Sequence, residues 1–93
     1  MNRSDLIQRI SAHNSDLPPV VVEAAVKIII DHMTQTLVTG GRIEIRGFGS
    51  FTTHAYEARE VRNPKTGEKL IKAARRLPHF KPGKPFRDAV NGD

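Results

Sequence analysis

The stretch Arg62-Asn63-Pro64-Lys65-Thr66-Gly67-Glu68-Lys69 sets one proline ring among three cations. Asn63 can open a turn, Pro64 fixes φ at the next position, and Gly67 is able to take φ > 0. Standing alone, such a proline is a turn former. Its surroundings widen the reading. Arg59 and Arg62 precede the turn, and Lys69, Lys72, Arg75 and Arg76 follow it. On the two strands of a hairpin they would line a ribbon with cations, interrupted by Glu57 and Glu60. A basic, weakly apolar arm of this kind fits along a phosphate backbone. An apolar ring at its end could then enter between base steps, which unstacks and kinks a duplex.

A second constellation is Arg42, Glu44 and Arg46. Alternation puts all three on one strand face, where the carboxylate can orient two guanidiniums toward a phosphate pair or a narrow minor groove. Taken by itself, the triplet reads more simply as a solvated charge ladder worth little. Lys81, Lys84 and Arg87 add charge around a closing helix whose first N–H groups can receive a phosphate.

Catalytic chemistry finds no such support. His13, His32, His54 and His79 show no helical-spacing pairing with one another or with a carboxylate cluster, so no metal site or general base is expected. The phosphate-cradling GxxxxGK[ST], the GxSxG elbow and the metalloprotease HExxH pair do not occur. The sequence contains no cysteine, which removes disulfides and thiol chemistry and fits a reducing compartment. The expectation is a protein that is not an enzyme, with no catalytic residues, cofactor or metal.

Charge is unevenly placed along the 93 residues. Residues 1–40 carry net −1, residues 41–61 net 0 and residues 62–93 net +6, within a total of +5. A neutral first half and a basic last third mark a localised footprint for a polyanion. The amino terminus is polar rather than a secretory leader, and the apolar run from Ala24 to Ile30 is broken by Lys27. A cytoplasmic location without a membrane partner is expected.

The elements that would position these groups follow from periodicity. Asn2 can cap a first helix, with Asp5 in its first turn and Leu6, Ile7 and Ile10 as its stripe. Pro18-Pro19 opens a second helix from Val20 to Val38, in which Val22, Val26, Ile29, Met33 and Leu37 recur by four or three; Gly40-Gly41 ends it. The period then becomes two in Arg42–Arg46, a half-buried strand. A glycine-flexed bend, Gly47-Phe48-Gly49-Ser50-Phe51, follows. Residues 52–62 and 68–77 read as the strands of a long hairpin, residues 78–83 as irregular, and Lys84 to Val90 as a short helix. The over-wide apolar face of the second helix and the Phe48/Phe51/Phe80 set call for a partner surface, so an obligate dimer is expected. An arm of about 26 residues would be marginal alone.

GRIEIRGFGSF (41–51), RNPKTGE (62–68) and PHFKPGK (78–84), in this order and spacing, resemble the HU/integration host factor family of bacterial DNA-bending proteins. The first and third motifs are most similar to the family's beta-type subunits, and the likeness spans essentially the whole chain as one domain. The resemblance implies an α+β intertwined dimer with a helical base, an antiparallel saddle-shaped sheet and long protruding β-hairpin arms. It implies minor-groove binding and sharp bending of double-stranded DNA in the bacterial nucleoid, in support of recombination, transcription control and chromosome organisation. By motif match, Pro64 would intercalate, flanked by Arg62, Asn63 and Lys65, with Arg59, Lys69, Arg75 and Arg76 along the arm. Arg42, Glu44 and Arg46 would touch the flank of a preferred site, and Lys81, Lys84 and Arg87 the phosphates beside the saddle. Gly47, Phe48, Gly49, Phe51 and Phe80 would form the bend and dimer core. Val61 replaces a glycine usual before the tip, Glu57 and Glu60 make the arm less basic, and Pro85 replaces a helix former.

The partner implied is an alpha-type subunit in a heterodimer, with a homodimer of HU-like low specificity as the alternative. A small basic RNA-binding protein is the reading from another class. It would need exposed stacking aromatics, whereas this chain has one Tyr, no Trp and four Phe that read as core or bend.

Overall fold

The computed structural model describes residues 1–92. In chain order the elements are α1 (Arg3–His13), α2 (Pro19–Val38), β1 (Ile43–Ile45), β2 (Gly49–Tyr56), β3 (Arg59–Arg62), β4 (Lys69–Lys72), β5 (Arg75–Pro82) and α3 (Lys84–Asn91). They fall into two compact units, one from Met1 to Gln35 and one from Thr36 onward.

In the first unit, α1 begins with a reciprocal cap. Asn2 Oδ1 accepts the Asp5 N–H at 2.9 Å, and Asp5 Oδ2 accepts the Asn2 N–H at 3.1 Å. Such a cap satisfies two otherwise orphaned donors and is worth about 1 kcal/mol. Asn14 closes the helix by donating its side-chain N–H to Ile10 O at 2.9 Å. Pro18 O accepts the Val21 and Val22 amides, so α2 starts on the proline pair, as expected. Val22 and Val26, one turn apart, are buried. Ile29, expected on the same stripe, is instead 59% exposed, and Val20, Val21 and Ile28 are exposed as well. A helix apolar nearly all round cannot bury every face within one short chain.

The second unit starts at the end of α2. Gly40, at φ 82°, takes the left-handed conformation that stops the helix, and the Gly41 N–H reaches back to Thr36 O at 2.8 Å. A three-stranded antiparallel sheet follows in the order β1-β2-β5. Its register aligns Glu44 with Ser50 and Ser50 with Lys81, and aligns Ile43 with Phe51 and Phe51 with Phe80. Because successive side chains alternate, the sheet has two unlike faces. Ile43, Phe51 and Phe80 share the apolar one. Rings of Phe51 and Phe80 lie 4.7 Å apart, and Phe86 of α3 joins through Phe48 at 4.7 Å. The Phe48/Phe51/Phe80 set expected from sequence therefore forms, and Phe86 joins it as a fourth member. Gly49 is required where it stands: a Cβ there would sit 2.7 Å from the Phe80 ring.

Residues 78–83, expected to be irregular, are strand as far as Pro82. Pro78 and Pro82 are tolerated because β5 is an edge strand. The Gly83 N–H donates to Phe48 O at 2.8 Å, toward the sheet. Alternation then turns the nitrogens of Pro82 and Pro78 outward, where no rung is lost.

The long hairpin forms, but in two parts. Pairing runs from Gly49↔Pro82 to Tyr56↔Arg75 inside the three-stranded sheet, then resumes from Arg59↔Lys72 to Arg62↔Lys69 as a separate two-stranded sheet. The register is the same on both sides of the break. Glu57-Ala58 and Ala73-Ala74 therefore face each other without a rung, and the free arm begins there.

Candidate nucleic-acid interface

The polar face of the sheet gathers Glu44, Ser50 and Lys81 in one cross-strand row. Arg42 and Arg46 flank Glu44 at the same alternation. These residues line one open concavity of about 570 Å³, with Gly83 at its margin. The sequence placed Lys81 apart from the arginine–glutamate triplet, and the register brings them together. Arg42 Nη2 lies 3.8 Å from Glu44 Oε2, with both side chains well exposed. At that length and exposure the pair is weak, which leaves the guanidinium available to an anion. The expected hold on both arginines is not made: among the described residues the ion pair reaches Arg42 and not Arg46.

Farther along the same face, His54 and His79 stack with ring centroids 4.6 Å apart. Helical spacing could not reveal this pair, because they meet diagonally across the β2–β5 register. Among the described residues no cluster of three or more potential ligands surrounds a metal position. Beyond them the Arg75 guanidinium lies 5.3 Å from the centre of the Tyr56 ring, a cation–π contact that holds it over the strand.

The arm also has two faces. Arg59 opposite Lys72 and Val61 opposite Leu70 share one; Glu60 opposite Ile71 and Arg62 opposite Lys69 share the other. On the second face, Lys69 Nζ lies 3.5 Å from Glu60 Oε1. Its charge is partly answered within the arm, while the first face carries Arg59 and Lys72 beside two apolar side chains.

Beyond Arg62 the chain turns as the sequence predicts. Asn63 Oδ1 accepts the Lys65 N–H at 2.9 Å, Gly67 donates to Asn63 O at 2.8 Å, and Asn63 donates to Glu68 O at 2.9 Å. Gly67 adopts φ 72°. Asn63 is thus held at three points, and Pro64 stands exposed immediately beyond it.

Lys84 opens α3 and Arg87 lies one turn later, both exposed, with Pro85 accommodated in the first turn. Arg76 differs from the other expected contacts. Alternation puts it on the apolar face, where it donates to Thr53 Oγ1 at 3.0 Å and to Val38 O at 3.4 Å.

Comparison with known proteins bears on what this surface meets. The family described as bacterial DNA-binding protein matches residues 1–91. The integration host factor beta subunit of Escherichia fergusonii is 52% identical over 91 residues, covering 98% of this chain and 97% of that one. Its counterpart in Vibrio parahaemolyticus is 53% identical over 91 residues, covering 98% of each. Among solved structures, the Anabaena HU–DNA cocrystal superposes with a TM-score of 0.85 at 31% identity over the full length of both chains. HU from Thermotoga maritima superposes with a TM-score of 0.64 at 26% identity, over 97% of this chain and 98% of that one.

Proposed function

Because the chain belongs to the HU/integration host factor family of bacterial DNA-binding proteins, we propose that it works as a dimer that grips the minor groove of duplex DNA and bends it sharply. The observation that carries this reading is the single register running from the cation-lined sheet face out to the Pro64 turn. It makes the Arg62–Lys69 face of the arm a direct continuation of the basic face.

In this reading phosphate neutralisation supplies most of the affinity. Lys81, Lys84 and Arg87 meet the backbone beside the sheet, while Arg59, Arg62, Lys65, Lys69 and Arg75 follow it along the arm. Each neutralised phosphate releases condensed counterions, so affinity falls steeply with salt. Pro64 enters between base steps, with Asn63 beside it and the Asn63 hydrogen bonds holding the ring outward. Smooth bending of a 20–30 base-pair site by 40–90° costs about 1–6 kcal/mol, and the wrapped phosphate contacts offset that cost. Sequence preference then comes mainly from deformability, with Arg42, Glu44 and Arg46 sensing the flank.

The dimer is supported by the apolar surface left open on α2, and the partner proposed is an alpha-type relative, since the similar proteins are themselves named as subunits. A homodimer with HU-like breadth is the second reading, favoured by the likeness to the HU structures. The protein would reside in the nucleoid as a single DNA-binding domain and serve recombination, transcription and chromosome organisation. The test is fluorescence energy transfer across a doubly end-labelled duplex, with the native protein and its co-purifying partner. Ends drawn together at low salt and released as salt rises are the expected result; binding without approach of the ends would refute bending.

A further inference from the structure

We propose that Arg76 is a positioning residue that pins the root of the arm, and not a phosphate contact. Its guanidinium spans two acceptors on different elements, Thr53 Oγ1 on β2 at 3.0 Å and Val38 O at the end of α2 at 3.4 Å. Val38 O belongs to the last turn of a helix, where carbonyls lack intrahelical partners and a cation meets the negative end of the dipole. The guanidinium packs closely over Gly40, where a Cβ would lie 3.1 Å from Arg76 Nη2. Arg76 therefore ties the end of α2, β2 and β5 at one point, on the face opposite Lys81.

Its place along the chain gives that tie a purpose. The last rung of the three-stranded sheet is Tyr56↔Arg75, directly beside it, and the unpaired Glu57-Ala58/Ala73-Ala74 step follows. Arg75 covers Tyr56 on one face while Arg76 binds Thr53 on the other. Two consecutive arginines so hold opposite faces of the sheet at its last rungs. An arm held there flexes at residues 57–58 and 73–74, and a load on its tip is resisted by the sheet instead of fraying it. The task calls for arginine, since a rigid fork reaches two acceptors that one ammonium cannot hold in fixed geometry.

Hydrogen exchange of the free protein and the salt dependence of duplex binding test this together. Only the second measurement rests on the DNA-binding reading, so the two can fail separately. Arg76→Ala and Arg76→Lys should both speed exchange of the rung-forming amides of residues 54, 56, 75 and 77 by about tenfold, and leave the slope of log affinity against log salt unchanged. Thr53→Val removes one acceptor at nearly constant shape and should speed the same amides, which keeps the test decisive if Arg76→Ala does not fold. Lys81→Ala should do the reverse, leaving exchange alone and flattening the slope by about 0.9. A slope flattened in Arg76→Ala and restored by Arg76→Lys would overturn the proposal. Unmoved exchange at the last rung in the Arg76 and Thr53 variants would overturn it as well.

Discussion

Glu60 is the residue that most distinguishes this arm from a uniformly basic one. It faces Ile71 directly and Lys69 diagonally, and its carboxylate lies 3.5 Å from the lysine. Both side chains are more than half exposed, so the pair adds little stability. Its effect should be electrostatic: it withholds part of one cation from a phosphate. Glu60→Gln is therefore expected to tighten duplex binding and to steepen the salt dependence by up to about 0.9 in slope, with an unchanged melting temperature. Lys84→Ala should flatten the slope by about the same amount if α3 meets the backbone with its first residue. Isothermal titration across a salt series measures both. These residues were legible in the sequence as cations, but their allocation to faces was not. Arg75 and Arg76 are adjacent in sequence but on opposite faces of the sheet, and only the register tells which one shares the face of Lys81.

At the scale of elements, the helices and the tip turn could be read from caps, periodicity and punctuation. Asn2 with Asp5, Pro18-Pro19 and Gly40-Gly41 each combine a residue type with a local hydrogen bond, so no distant contact was needed to place them. The continuation of β5 from Pro78 to Pro82 escaped that reading because two prolines argue against pairing, and what permits them is an edge position that depends on β1 and β2. The split of the hairpin escaped it for a similar reason, since nothing in Glu57-Ala58 or Ala73-Ala74 announces a missing rung. The tip is the element most open to a simple perturbation. Gly67 sits at φ 72° and a Cβ added there would meet only open space, so Gly67→Ala incurs backbone strain alone, about 1 kcal/mol. Faster exchange of the Asn63 and Gly67 amides is expected, with exchange in the three-stranded sheet unaffected.

For the whole molecule, the decisive feature is how little apolar surface one chain buries. Among the described residues Val22 and Val26 are the buried hydrophobic ones, whereas Ile28, Ile29 and Val38 are each more than half exposed. The sequence showed this as a helix with too wide an apolar face; which residues stay open was visible only once the elements were placed. A second chain covering that face explains the excess, and folding then becomes coupled to association. The melting temperature should rise with protein concentration, and Ile29→Glu should abolish the folded dimer as read by sedimentation, since an unpaired carboxylate would be buried. The central claim is that Pro64, at the end of a register-continuous arm, wedges the duplex. Energy transfer across an end-labelled duplex saturated with Pro64→Ala protein tests it most directly. The account predicts a clearly smaller bend angle with dimer stability intact, whereas a bend equal to that of the native protein would contradict it.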